Sequence, residues 1–123
     1  MALGKIKADT LEHSTSGSVD TKYVVEGSAK AWFSAVTWAT ADNSLNVSSI
    51  SDDSAGQSTV SLSNAFADDD YTVAGLSTDA DGVVMFHTSR TAGACDVRHY
   101  GGLAGSAAYV DSELTVNFHG DLA

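Results

Sequence analysis

Cys95 stands beside Asp96, with His87 and His99 on either side in sequence. These are the residue types of a thiolate nucleophile, a base and an orienting carboxylate. Such a thiol needs a partly exposed, electropositive pocket that lowers its pKa. Cys95 instead falls in register with Val97 on one face of a strand, the setting of a buried and inert thiol. The histidines show neither His-x-His nor His-x3-His spacing, so no single element aims two imidazoles at one ion. Asp79-Ala80-Asp81-Gly82 opens like a calcium loop, but Val83 and Arg90 occupy the fifth and twelfth positions, where oxygen ligands are required. A hairpin turn is the better reading there, as a solvated turn is for Asp68-Asp69-Asp70. No Gly-x-Ser-x-Gly elbow, phosphate loop or dinucleotide fingerprint occurs, and Gly101-Gly102 lacks a strand–turn–helix setting. The expectation is a protein without catalytic residues, metal site or cofactor.

Charge narrows the class further. Sixteen acidic residues against six basic ones give a formal net charge of −10 and a pI near 4.4. Nucleic-acid binders take most of their affinity from positive surface, so DNA and RNA are excluded as partners. An anionic membrane surface is excluded for the same reason. A single cysteine permits no intrachain disulfide. No apolar run reaches the roughly 20 residues that cross a bilayer, and residues 1–9 (MALGKIKAD) lack the apolar core of a signal peptide. A soluble, acidic, single-domain protein made in a reducing compartment is the expectation.

The residues that must position any site read as strands. The apolar content leans on alanine and valine, serine and threonine abound, and long helix formers are scarce. Residues 1–28 form a leader with too few large apolar groups for a core: a weak alternation at Ile6, Ala8 and Leu11, a loop at 13–18, and a strand over 19–25. The main domain spans 29–123. Its expected strands are 30–40 (both faces partly buried), 45–50 (Leu45, Val47 and Ser49 together), 58–62, 71–76, 83–88 (apolar, buried on both sides or central in a sheet), 95–100 and 109–119. Turns fall at 52–56, 78–82 and 92–93, with a flexible connection at 101–106. Short strands between polar turns predict an all-β fold, an antiparallel, jelly-roll-like β-sandwich. Trp32 and Tyr71 are expected in the core. Trp38, Tyr100 and Tyr109 are candidates to stack on a glycan. Arg90 and Arg98 are each expected to pair with an aspartate.

The order of several short motifs resembles a C-terminal domain of bacteriophage tail fibre and tail-fibre-like virion proteins, of the marine phage type. They are Ala29-Lys30-Ala31-Trp32-Phe33, then Asn46-Val47-Ser48-Ser49-Ile50 with Asp52 and Gly56, Thr59-Val60, and Phe66-Ala67-Asp68 with Tyr71-Thr72-Val73-Ala74-Gly75. The close, Val116-Asn117-Phe118-His119-Gly120-Asp121, is similar to the family's V-x-V-x-G-D ending, and Gly4-Lys5-Ile6-Lys7-Ala8-Asp9 is similar to its short start. The resemblance covers most of the chain from Ala29 onward. It implies a β-sandwich assembled as a homotrimer in the virion, in contact with other tail or capsid proteins, with distal loops touching a host receptor or glycan. Asp52, Asp53, Gly56, Asp79, Asp81, Gly82, Arg90 and Thr91 are the candidate receptor contacts. The leader is the expected attachment to the particle or the segment exchanged between protomers. Capsid decoration, a head fibre and a free-standing carbohydrate-binding module are the alternatives.

Overall fold

A computed structural model describes residues 4, 7–35, 40–77, 84–101 and 108–123, and of 84–86 the backbone only. In the leader, β1 (Thr10–His13) and β2 (Gly17–Asp20) pair antiparallel from Thr10↔Asp20 to His13↔Gly17. Gly17 sits at φ 88°, a value that glycine adopts without steric cost, and so closes the hairpin. A helix, α1 (Thr21–Gly27), follows directly. This corrects the expected strand over 19–25. Val24 and Val25 favour extended backbone, but β2 reaches the end of its partner at Asp20, where the Thr21 amide donates to the Asp9 carbonyl at 2.8 Å. Beyond that point the backbone bonds to itself as a helix.

Among the described residues nine strands make the body: β3 (Ala31–Ala35), β4 (Asn43–Leu45), β5 (Val47–Ser54), β6 (Gln57–Leu62), β7 (Thr72–Ser77), β8 (Val84–Thr91), β9 (Ala94–Gly101), β10 (Ala108–Tyr109) and β11 (Leu114–His119). Every pairing among them is antiparallel, as expected for an all-β chain. One sheet runs β4-β3-β11-β7; the other runs β10-β9-β6-β5, with β8 on the opposite edge of β9.

Period-two alternation turns one face of each sheet inward. Ala31, Phe33 and Ala35 of β3 and Leu114, Val116 and Phe118 of β11 are buried, as are Val60 of β6 and Cys95 and Val97 of β9. Together with Phe66 and Tyr71 they form one cluster, so the inward faces of both sheets share a core. The Phe66 and Tyr71 rings stack at 4.3 Å between centroids, and Tyr71 lies 6.1 Å from Phe118. The Tyr71 hydroxyl donates within 2.8 Å of the Ala94 carbonyl and 3.1 Å of that of Thr91, tying the core to the β8–β9 hairpin.

Five further expectations are revised, the first being the single strand over 109–119, which divides into β10 in one sheet and β11 in the other. The strand expected over 45–50 breaks at Asn46, whose φ of 58° lies in the left-handed region. The Asn46 side chain compensates by accepting from the Asn64 amide at 2.7 Å and donating to the Asn64 carbonyl at 3.0 Å. A register shift between Val47 and Ser49 then resets the alternation, so that Val47 and Ile50 both pack on the core while Leu45 stays exposed. Trp32 is half-buried on the face of β3 opposite the core, because Ala31, Phe33 and Ala35 hold the inward positions. The apolar strand expected to be buried on both sides or central in a sheet is β8, which pairs with β9 alone among the described residues and is exposed at His87, Thr88 and Ser89. The turn expected over 52–56 narrows to Ala55-Gly56, since β5 runs through Ser54. The turn at 78–82, residues 36–39 of the strand expected over 30–40, Ile6, and positions 102–106 of the connection lie outside the described residues.

Candidate functional site

The residue types of a thiolate nucleophile are dispersed by β-strand alternation. Cys95 and His99 face inward on β9, at 1% and 0% exposure. Asp96 points the other way, accepting from Thr59 Oγ1 at 3.1 Å and lying 3.9 Å from the Arg98 guanidinium. His87 is exposed on β8. Burial pushes the Cys95 thiol up from its ordinary 9.0 to about 11, the direction opposite to that of an activated cysteine. Two outcomes follow. Cys95 should resist an aromatic disulfide reagent at pH 8 and react at once in denaturant. Unfolded thiols ionise near pH 9 whereas the folded one keeps its proton, so stability should fall as pH rises from about 9 to 11. Melting temperatures across that range, compared with Cys95→Ala, check the sign. Burial raises the Tyr71 phenol as well, which continues the loss at still higher pH.

His99 does work that sequence reading missed. Its Nδ1 lies 2.6 Å from Ser112 Oγ and 3.1 Å from the Val110 carbonyl, and Ser112 Oγ is 3.2 Å from Ser77 Oγ. A hydroxyl on an imidazole is also the beginning of a nucleophile–base pair. Here the ring has no solvent exposure, and the network ties β9 to residues 110–112 and to the end of β7. The alternation of Cys95, Val97 and His99 was the signal that could have placed this histidine inside.

Among the candidate contacts, Asp52, Asp53 and Thr91 are exposed. Asp53 accepts from Thr59 Oγ1 at 2.7 Å and Ser51 Oγ at 2.9 Å, and these hydrogen bonds hold its carboxyl below the usual carboxylate range. Gly56 is buried: the His99 amide donates to its carbonyl at 2.8 Å, and its own amide donates to Asp111 Oδ1 at 2.6 Å. It shapes the hairpin from beneath and does not present itself to a partner. Arg90 is half-buried; its guanidinium lies over the Tyr71 ring, 5.6 Å from the centroid, and donates to the Tyr71 carbonyl. Among the described residues Arg90 thus meets a ring and a carbonyl where an aspartate was expected, whereas Arg98 does meet Asp96. Asp79, Asp81, Gly82 and Trp38 lie outside the described residues. The Asp68–Asp70 triplet forms a turn in which the Asp70 amide donates to Asp68 Oδ1 at 2.9 Å. Among the described residues, no three His, Cys, Asp or Glu side chains gather as a metal site would require.

Two exposed features remain. Tyr100 and Tyr109, at 39% and 41% exposure, are Cα partners across β9 and β10, and their rings meet edge to face at 5.3 Å. Strand alternation puts them on the outward face that also carries Arg98, Asp96, Thr59 and Asp53. The second feature is the leader. No residue of β1, β2 or α1 is buried, and Leu11, Val24 and Val25 line an open concavity of about 750 Å³ with Lys7, Ala8, Asp9 and Thr21. Among the described residues no helix is long and apolar enough to cross a membrane. Comparison with family models, with curated proteins and with solved structures gave no match to the chain.

Proposed function

We propose that this chain is a non-enzymatic structural protein of a bacteriophage particle, a β-sandwich that assembles as a homotrimer and serves as a short tail fibre or spike. The observation that carries the reading is a division among the described residues, between a body whose sheets share a core and a leader in which no side chain is buried. Apolar side chains left open in this way suit a component of a larger assembly, where further protein surface covers them. The motifs behind the phage resemblance also have structural employment here. Phe66 and Tyr71 stack across the Asp68 turn, and Asn46 holds the break before β5. Light scattering at micromolar concentration should give about three times the protomer mass, and labelled antibody should decorate the tail in electron micrographs of particles. A protomer mass would overturn the trimer; decoration of the head would move the protein to a head fibre or capsid decoration.

The Tyr100–Tyr109 pair favours a second reading, a carbohydrate-binding module. Exposed aromatic rings beside hydrogen-bonding side chains suit the apolar faces and hydroxyl edges of a sugar. On a glycan array, Tyr100→Ala and Tyr109→Ala should each weaken binding at least tenfold, roughly the loss of one stacking contact. Retained binding in both variants would remove this reading.

A further inference from the structure

We propose that the leader packs against the leaders of other copies of this chain, so that the oligomer is held there and not between the β bodies. The inference rests on the trimer reading and adds where the copies touch.

The first argument is physical incompleteness. A two-stranded hairpin is marginal in water by itself, and a helix of seven residues is far below the length at which helices persist alone. Their order therefore calls for burial, and among the described residues no side chain of β1, β2 or α1 is buried. Leu11 (47%), Val19 (41%), Tyr23 (62%), Val24 (42%) and Val25 (61%) are half of the ten large exposed hydrophobics among the described residues, gathered in one short stretch. Leu11, Val24 and Val25 turn toward the same concavity.

Charge selects the occupant. Residues 1–28 hold three of the six cations (Lys5, Lys7, Lys22) and four of the sixteen acids (Asp9, Glu12, Asp20, Glu26), which leaves the leader at −1 and residues 29–123 at −9. Bodies of that charge repel one another at contact distance. Leaders carry both signs in near balance, with Lys7 and Asp9 both lining the concavity, so identical copies approach with far less like-charge penalty than the bodies. Symmetric closure around the leaders then covers every copy's apolar side chains equivalently. An acidic partner gains little from a near-neutral surface, and a basic one would prefer the body.

The test uses the full chain. Val24→Glu combined with Val25→Glu puts charge on the helix face, and Leu76→Glu makes the same kind of change on the body, where Leu76 is 75% exposed on β7. Cys95 protection from thiol reagents reports that each body remains folded. The expected result by light scattering is an oligomer for the unaltered chain and for Leu76→Glu, and a fall to one protomer for the double variant. An oligomer that survives the double variant overturns the inference and leaves the trimer reading standing. An unaltered chain with the mass of one protomer overturns both. A dimer that the double variant dissociates supports the leader contact and corrects the number of copies.

Discussion

Phe118→Ala is expected to lower the unfolding free energy by about 3–5 kcal/mol. The ring is fully buried on β11, the strand between β3 and β7, and lies 6.5 Å from Phe33 and 6.1 Å from Tyr71. Truncation removes the transfer free energy of the ring and leaves a cavity whose walls belong to three elements. Those walls are held by backbone ladders on both sides of β11, so little collapse can offset the loss. Against a total of about 5–15 kcal/mol for a domain of this size, such a loss brings the body near its unfolding threshold. Urea unfolding should show a lower midpoint with an unchanged slope. Asn117→Ala, one residue away on the exposed face, should stay within about 0.5 kcal/mol. Equal effects at the two positions would mean that β11 does not carry the core.

Gly56→Ala should cost about 3 kcal/mol, from left-handed strain of about 1–2 kcal/mol and steric displacement of neighbours. Its φ is +61°, and a Cβ there would stand 2.5 Å from the His99 carbonyl oxygen and 2.6 Å from the Val110 amide nitrogen. Both are backbone atoms, so relief cannot come from a rotating side chain. The strands must separate where Val110 N donates to His99 O at 3.2 Å. That bond continues the β9–β10 pairing that brings Tyr100 and Tyr109 together, so the variant should also loosen the aromatic pair. Hydrogen exchange at the Val110 amide, together with a melting curve, measures both effects. Gly93→Ala offers the contrast: nothing lies within 4 Å of its added Cβ, and its change should be within about 0.5 kcal/mol.

Much of the body could be read from local pattern. Leu114, Val116 and Phe118 alternate cleanly with polar residues and do face inward, and Ala92-Gly93 is the β8–β9 turn. Local pattern failed where a distant residue decides. Asn46 accepts its left-handed backbone because Asn64, eighteen positions later, takes up its side chain. The apolar run of β8 reads as central, yet strand order is set by which partners arrive, and only β9 pairs with it among the described residues. Val24 and Val25 read as strand until the hairpin runs out of partner. At the candidate sites, the exposure of β1, β2 and α1 agrees with the leader's shortage of large apolar groups. The meeting of Tyr100 with Tyr109 depends on a pairing register that single residues do not encode, as does the refuge of Arg90 over Tyr71.

The position of β11 has a consequence for how the chain is made. The hairpins β5–β6 and β8–β9 join neighbours in sequence, so a nascent chain can close each of them soon after it emerges. The other sheet must wait, because β3 and β7 share no bond until residues 114–119, which lie between them, have been synthesised. At about 5–20 residues per second, the interval from the end of β7 to the start of β11 lasts about 2–7 s. Throughout it, Phe33 and Val73 await the strand they pack beside, and two strand edges stand open to other nascent chains. Slower initiation or lower temperature during expression spaces those chains apart, and the yield of folded protein should rise accordingly.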